Sequence, residues 1–142
     1  MTEPEVRRAW SVAVFARHAG QVLLVHHRRL DLWLPAGGEL EAGETPLQAA
    51  TRELFEETGL RGTFPRTSDL DGAPPGLLGY EEHQAGATGT HLNFNFLADV
   101  PSTDVLPNHE FESWRWVASP DDVACPPNVR QLLARILDGK RA

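Results

Sequence analysis

Gly38 to Leu60 reads Gly-Glu-Leu-Glu-Ala-Gly-Glu-Thr-Pro-Leu-Gln-Ala-Ala-Thr-Arg-Glu-Leu-Phe-Glu-Glu-Thr-Gly-Leu, a glycine turn running into a helix with both ends marked. Thr45 is a good N-cap, Pro46 suits the first helical position, and Gln48 completes a Thr-x-x-Gln capping box. Gly59 supplies the left-handed stop. Leu47, Ala50 and Leu54 recur at helical spacing and are expected to face a core. Glu53, Glu56 and Glu57 stand at i, i+3 and i+4, so their carboxylates share one side. Like charges at this spacing repel, and they sit at the negative end of the helix dipole, where cations are preferred. A bound divalent cation relieves both conflicts, and carboxylates with backbone carbonyls are ligands that suit Mg²⁺ or Mn²⁺. The competing reading is a solvated acidic helix end partnered by Arg52.

The wider spacing separates these readings. Gly38, Glu44, Arg52, Glu53, Glu56, Glu57 and Gly59 fall into G-x5-E-x7-R-E-U-x-E-E-x-G-U, with Leu54 and Leu60 at the apolar positions U. This stretch of 23 residues in 142 resembles the Nudix box at every defined position. Just before it, Pro35-Ala36-Gly37-Gly38 has one residue more than a Pro-Gly-Gly entry. The resemblance implies an α+β fold, a helix–sheet–helix sandwich with a mixed β-sheet. It also implies hydrolysis of a nucleoside diphosphate linked to a further moiety X. Glu53, Glu56 and Glu57 would hold the metal, helped by the Gly38 carbonyl. Arg52 would orient Glu53, and Glu44 would support the inner ligands.

Length and composition fit this expectation. The 142 residues suit a single domain over 1–142, with 41% hydrophobic and 23% charged residues. No apolar run approaches the ~20 residues that span a bilayer. The polar first eight residues lack a signal-peptide core. Cys125 is the sole cysteine, which fits a cytoplasmic location. A net charge of −7 without a basic run argues against an extended nucleic-acid surface, while the resemblance implies a nucleotide or nucleotide-conjugate partner. Divalent cations answer the repulsion such a protein would exert on phosphates.

Along the chain, strands are expected at 10–16, 21–27 and 32–35, with His18-Ala19-Gly20 as a turn and Gly37-Gly38 as another. Further strands are expected at 61–67, 77–83, 92–100 and 111–118, and a helix at 126–137. Ser119 is expected to cap a short helical turn. Long loops separate these later strands, and such loops often carry function. His26 and His27 read as strand-end histidines, because no further His or Cys stands at metal-ligand spacing. Arg28 ends a strand and is either a phosphate ligand or a surface arginine. Asn93 and Asn95 occupy the polar side of an alternating strand, looking into a cleft or bonded along an edge.

Nudix enzymes often carry a later glutamate that activates water or binds metal. Glu110 is the candidate here, in competition with Glu112, Glu81 and Glu82 and with a plain loop acid. Pro126-Pro127-Asn128 is similar to the entry to the last helix in the branch that removes oxidised dGTP, where an asparagine meets the base. Asn128 is therefore either a base reader or a helix cap. This tilts the substrate slightly toward a nucleoside triphosphate over ADP-ribose, a nucleotide sugar or a dinucleoside polyphosphate. A non-catalytic nucleotide-binding module is the alternative of another class. The complete set of box glutamates and the box arginine argues for an enzyme.

Overall fold

The computed structural model describes residues 7–85, 89–106, 111 and 113–139. Strand β1, Arg7–His18, is the one on which the sheet is assembled. It turns tightly at Ala19 and Gly20, both with positive φ, into β2, Gln21–His27. Short strands β3, Leu32–Leu34, and β4, Ala36–Glu39, precede helix α1, Pro46–Thr58. Then come β5, Leu77–Ala85, β6, Gly89–Asp99, β7, Trp114–Val117, and helix α2, Pro127–Asp138.

The spatial order is β3-β2-β1-β6-β5, with β4 added on β1 and β7 on β2. The β1–β6 pair is parallel along its whole length, from Arg7 opposite Gly89 to Arg17 opposite Asp99. The other strand pairs are antiparallel, so the sheet is mixed.

Alternation along the strands sends side chains to two helices. Val12, Val14, Ala16, Phe96 and Ala98 pack with Ala49, Ala50 and Leu54 of α1. Phe15, Val22, Leu24 and Leu97 pack with Val129, Leu133 and Ile136 of α2. The architecture is the helix–sheet–helix sandwich expected from the box. Neither helix is long and apolar enough to cross a membrane.

The box helix is capped as its sequence requires. Thr45 accepts from the Gln48 backbone N–H at 3.2 Å, and the Gln48 side chain accepts from the Thr45 N–H at 2.9 Å. Such a cap contributes about 1 kcal/mol. Gly59 ends the helix at φ 74°. Helix α2 differs from expectation, because its N-cap is Pro126, without a side-chain cap bond. Asn128 lies inside the first turn and is not the cap.

Three further local expectations change. Residues 61–67 form no strand; a single bridge joins Thr63 to Asp99, through paired hydrogen bonds of 2.8 Å. Gly37 and Gly38 lie within strand β4, paired with Ala13 and Val12. Ser119–Asp122 is a single turn that does not become a helix; Ser119 Oγ caps it as expected, accepting the Asp121 N–H at 3.2 Å, and the Asp122 carboxylate accepts the Ala118 and Ser119 N–H groups.

Candidate active site

Arg52 gathers the acidic groups of the box. Its Nε donates to Glu44 at 2.7 Å and its Nη2 to the other Glu44 oxygen at 2.9 Å. Its Nη1 donates to Glu53 at 2.9 Å and to Glu56 at 3.1 Å, while Nη2 also reaches the Glu39 carbonyl at 3.1 Å. The side chains of Arg52, Glu44 and Glu53 are only 19%, 17% and 13% exposed, so these bonds are poorly screened by water. The repulsion along the helix, about 0.2–0.5 kcal/mol per like-charged pair, is smaller than such charged hydrogen bonds provide.

This contact shifts the titration of both partners. Hydrogen bonding to Arg52, then the backbone bond with Glu41, lowers the Glu44 carboxyl from 4.5 to about 2. The same bond to Glu44, followed by Glu53, raises the Arg52 guanidinium further. A depressed folded-state value means that the contribution of Glu44 to stability is complete above pH 4.5 and is lost as pH falls toward 2. Between those limits the urea midpoint of Glu44→Gln is expected to vary less with pH than that of the wild type. Equal slopes would contradict the pairing.

Glu57 has a different hydrogen-bond partner. It is 7% exposed, and its carboxylate accepts the Gly37 N–H at 2.8 Å. Arg52 therefore draws in Glu53 and Glu56, while Glu57 anchors strand β4. Among the described residues, no three His, Cys, Asp or Glu side chains are gathered closely enough to hold a metal ion. The expected convergence of three carboxylates is split between a guanidinium and a backbone amide. The donor chemistry still fits a hard divalent cation, since every candidate ligand is an oxygen. Divalent-metal use is general in Nudix hydrolases.

The two glycines of β4 have different duties. A methyl group on Gly37 would lie 2.1 Å from the Val12 carbonyl oxygen, which the sheet holds in place. One on Gly38 would lie 2.5 Å from Glu53 Oε1, the end of a flexible side chain. Gly37→Ala is expected to cost about 1–3 kcal/mol of stability. Gly38→Ala is expected to keep the fold but displace the Glu53 carboxylate, slowing turnover by up to about 10²-fold. Denaturant melts and steady-state rates on both variants check this contrast; equal effects on stability would contradict it.

Beside the box lies a cleft of about 540 Å³. It is lined by Gly37, Gly38 and Glu57 together with Ser11, Asn93, Asn95 and Asn128. Its volume suits a small-molecule ligand. Asn93 and Asn95 thus line a cleft and are hydrogen-bonded to each other, but not along an edge, because β6 lies between β1 and β5. Arg28 is exposed in the turn after β2 and is not among the residues lining the cleft. Glu110 and Glu112 lie outside the described residues. Phe111, between them in sequence, is buried and lines the cleft.

Ser11, His83 and His91 line the same space and were not expected there. Neither were His26 and His27, which also line it. The signal for Ser11 lay in the parallel β1–β6 register, which places it beside Asn93. Glu82 accepts the Tyr80 hydroxyl at 2.8 Å, and Glu81 accepts from Asn95.

Comparison with known proteins agrees with this architecture. An RNA pyrophosphohydrolase of Xanthomonas oryzae pv. oryzae is 34% identical over 130 residues, covering 82% of this chain and 62% of that protein. The chain thus spans about three fifths of the length of that relative. A NUDIX-family hydrolase of Clostridium perfringens superposes with a TM-score of 0.80 at 24% identity, covering 94% of this chain and 98% of that one. A MutT protein from Methanosarcina mazei gives 0.75 at 19% identity, covering 99% and 100%. At those identities the two structures show a shared fold. Residues 5–137 match the family described as NUDIX domain, and with the complete box set on its capped helix beside a cleft, this chain belongs to the NUDIX family.

Proposed function

We propose that this protein is a divalent-metal-dependent pyrophosphohydrolase of nucleotides, with nucleoside triphosphates cleaved to monophosphate and pyrophosphate as the favoured reaction. The observation that carries this reading is that Gly38 and Glu57 of the box, with Gly37 just before it, line the same cleft as Asn93, Asn95 and Asn128. Acidic chemistry and amide recognition therefore face one ligand-sized space. Bound Mg²⁺ or Mn²⁺ would neutralise phosphate charge and acidify water. Glu53, Glu56, Glu57 and the Gly38 carbonyl are its proposed holders. Arg52 fixes the direction of Glu53, and Glu44 fixes Arg52. Glu110 is the proposed later carboxylate, supported by the place of its neighbour Phe111 in the cleft wall. The reaction suits a cytoplasmic location, where nucleotides occur.

Asn128 is proposed to meet the base. Its position inside the first turn of α2 removes the capping alternative, and it lines the cleft. Asn128→Asp is expected to change the ratios of kcat/KM among purine and pyrimidine triphosphates by at least about five-fold, because an amide donor is lost. Unchanged ratios would remove Asn128 from base recognition.

A second reading has specific support. The relatives named RNA pyrophosphohydrolase suggest the 5′-triphosphate end of an RNA, with only the terminal nucleotide in the cleft. Nucleotide sugars, ADP-ribose and dinucleoside polyphosphates complete the comparison. Purified protein with Mg²⁺ or Mn²⁺ should be offered all of these, with products identified by mass. Nucleoside monophosphate and pyrophosphate from free triphosphates support the first reading. Turnover confined to 5′-triphosphorylated RNA would replace it with the second.

A further inference from the structure

A ladder of polar side chains runs across three strands, and its members Ser11, Asn93 and Asn95 line the cleft. Ser11 Oγ donates to Asn93 Oδ1 at 3.0 Å, and Asn93 Nδ2 donates to Asn95 Oδ1 at 3.1 Å. Asn95 Nδ2 donates to Glu81 Oε1. Asn95 is only 3% exposed, so its amide requires partners within the protein. His83 Nε2 lies 3.6 Å from the same Glu81 oxygen.

The direction of the ladder follows from its last member. An ionised carboxylate accepts hydrogen bonds and never donates them. Asn95 must therefore turn its NH₂ to Glu81 and its oxygen to Asn93. Asn93 must then turn its NH₂ to Asn95 and its oxygen to Ser11, and the Ser11 proton is committed to that oxygen. What remains at the Ser11 end is an acceptor pair, beside one spare N–H and one lone pair on Asn93. An acceptor repels a fully ionised phosphate oxygen and welcomes an N–H donor.

We propose that Glu81 is a positioning residue for substrate specificity: by fixing the amides of Asn95 and Asn93, it makes the Ser11–Asn93 wall a reader of a nucleobase edge bearing an N–H donor. This deepens the nucleotide reading proposed above and rests on it. Glutamine at position 81 keeps the size of the side chain but can donate or accept, so the direction of the ladder is no longer enforced.

The test compares wild type, Glu81→Gln and Glu82→Gln. Glu82 loses the same charge from the same strand, but its partner is Tyr80 on the other face of the sheet. Binding of adenosine, guanosine, cytidine and uridine monophosphates is measured by calorimetry with Mg²⁺. KM and kcat are measured on the matching triphosphates, and folding is followed by thermal melts. The wild type is expected to separate best from worst base by at least about five-fold, the discrimination of one good polar pair. Glu81→Gln is expected to shrink that spread at least about five-fold, through KM and monophosphate binding with kcat little changed. Glu82→Gln is expected to keep the wild-type spread.

An unaltered spread in Glu81→Gln, or equal effects of the two variants, overturns the assignment. If Glu81→Gln yields no folded protein, Ser11→Ala removes the outlet acceptor and must alter the same ratios; unaltered ratios overturn the proposal. Base-selective binding without turnover of any triphosphate would reject the hydrolysis reading and leave the ladder standing. Turnover without base preference in the wild type would reject the ladder alone.

Discussion

Glu53→Gln and Glu57→Gln are each expected to lower the hydrolysis rate by about 10²-fold or more while leaving the domain folded. A positioned metal ligand or proton acceptor contributes an effect of this size. The structure explains why folding should survive. Glutamine at 57 keeps an oxygen to accept the Gly37 N–H, now bonded at 2.8 Å, so strand β4 stays anchored. Glutamine at 53 keeps an acceptor for Arg52, now bonded at 2.9 Å. Removing one negative charge also relieves repulsion along the helix. Glu56→Gln is expected to act in the same direction. Steady-state rates and denaturant melts on the three variants check this, and near-normal rates in all three would contradict the metal-holding role.

Arg52→Ala is expected to damage both stability and rate. Arg52 is 19% exposed and holds Glu44, Glu53, Glu56 and the Glu39 carbonyl together. Its removal leaves carboxylates close together without their cation, which costs about 2–3 kcal/mol. Full burial would cost more; solvent around Glu56, 54% exposed, moderates the loss. Glu53 also loses the group that aims it, so kcat is expected to fall about 10- to 100-fold. Arg52→Lys cannot reproduce the two-pronged contact with Glu44 and is expected to rescue little of either property. A urea titration and a rate measurement suffice, and unchanged values for Arg52→Ala would contradict this account of the site.

The box was legible because its signals are local. Thr45, Gln48 and Gly59 each act within four residues, and the same chemistry sets the observed ends of α1. The alternation from Leu92 to Val100 likewise marks a strand with an apolar and a polar side. Strand β4 was not legible, since two glycines usually signal a turn. Here they permit close approach to β1 and leave room for Glu53. Residues 61–67 look like a strand by composition, yet Pro65 has no N–H to give, and only Thr63 pairs. The polar ladder was hidden for another reason. Ser11 and Asn93 are 82 positions apart, and only the parallel register of β1 with β6 makes them neighbours.

The central claim is that box and cleft together perform metal-dependent pyrophosphate chemistry. Its most direct test is release of pyrophosphate from a nucleoside triphosphate by metal-stripped protein, followed as Mg²⁺ is added back and then chelated. The account predicts no release without metal, saturable release of pyrophosphate and monophosphate with it, and loss again on chelation. Full turnover in excess chelator with verified absence of metal, or products limited to diphosphate and orthophosphate, would contradict it.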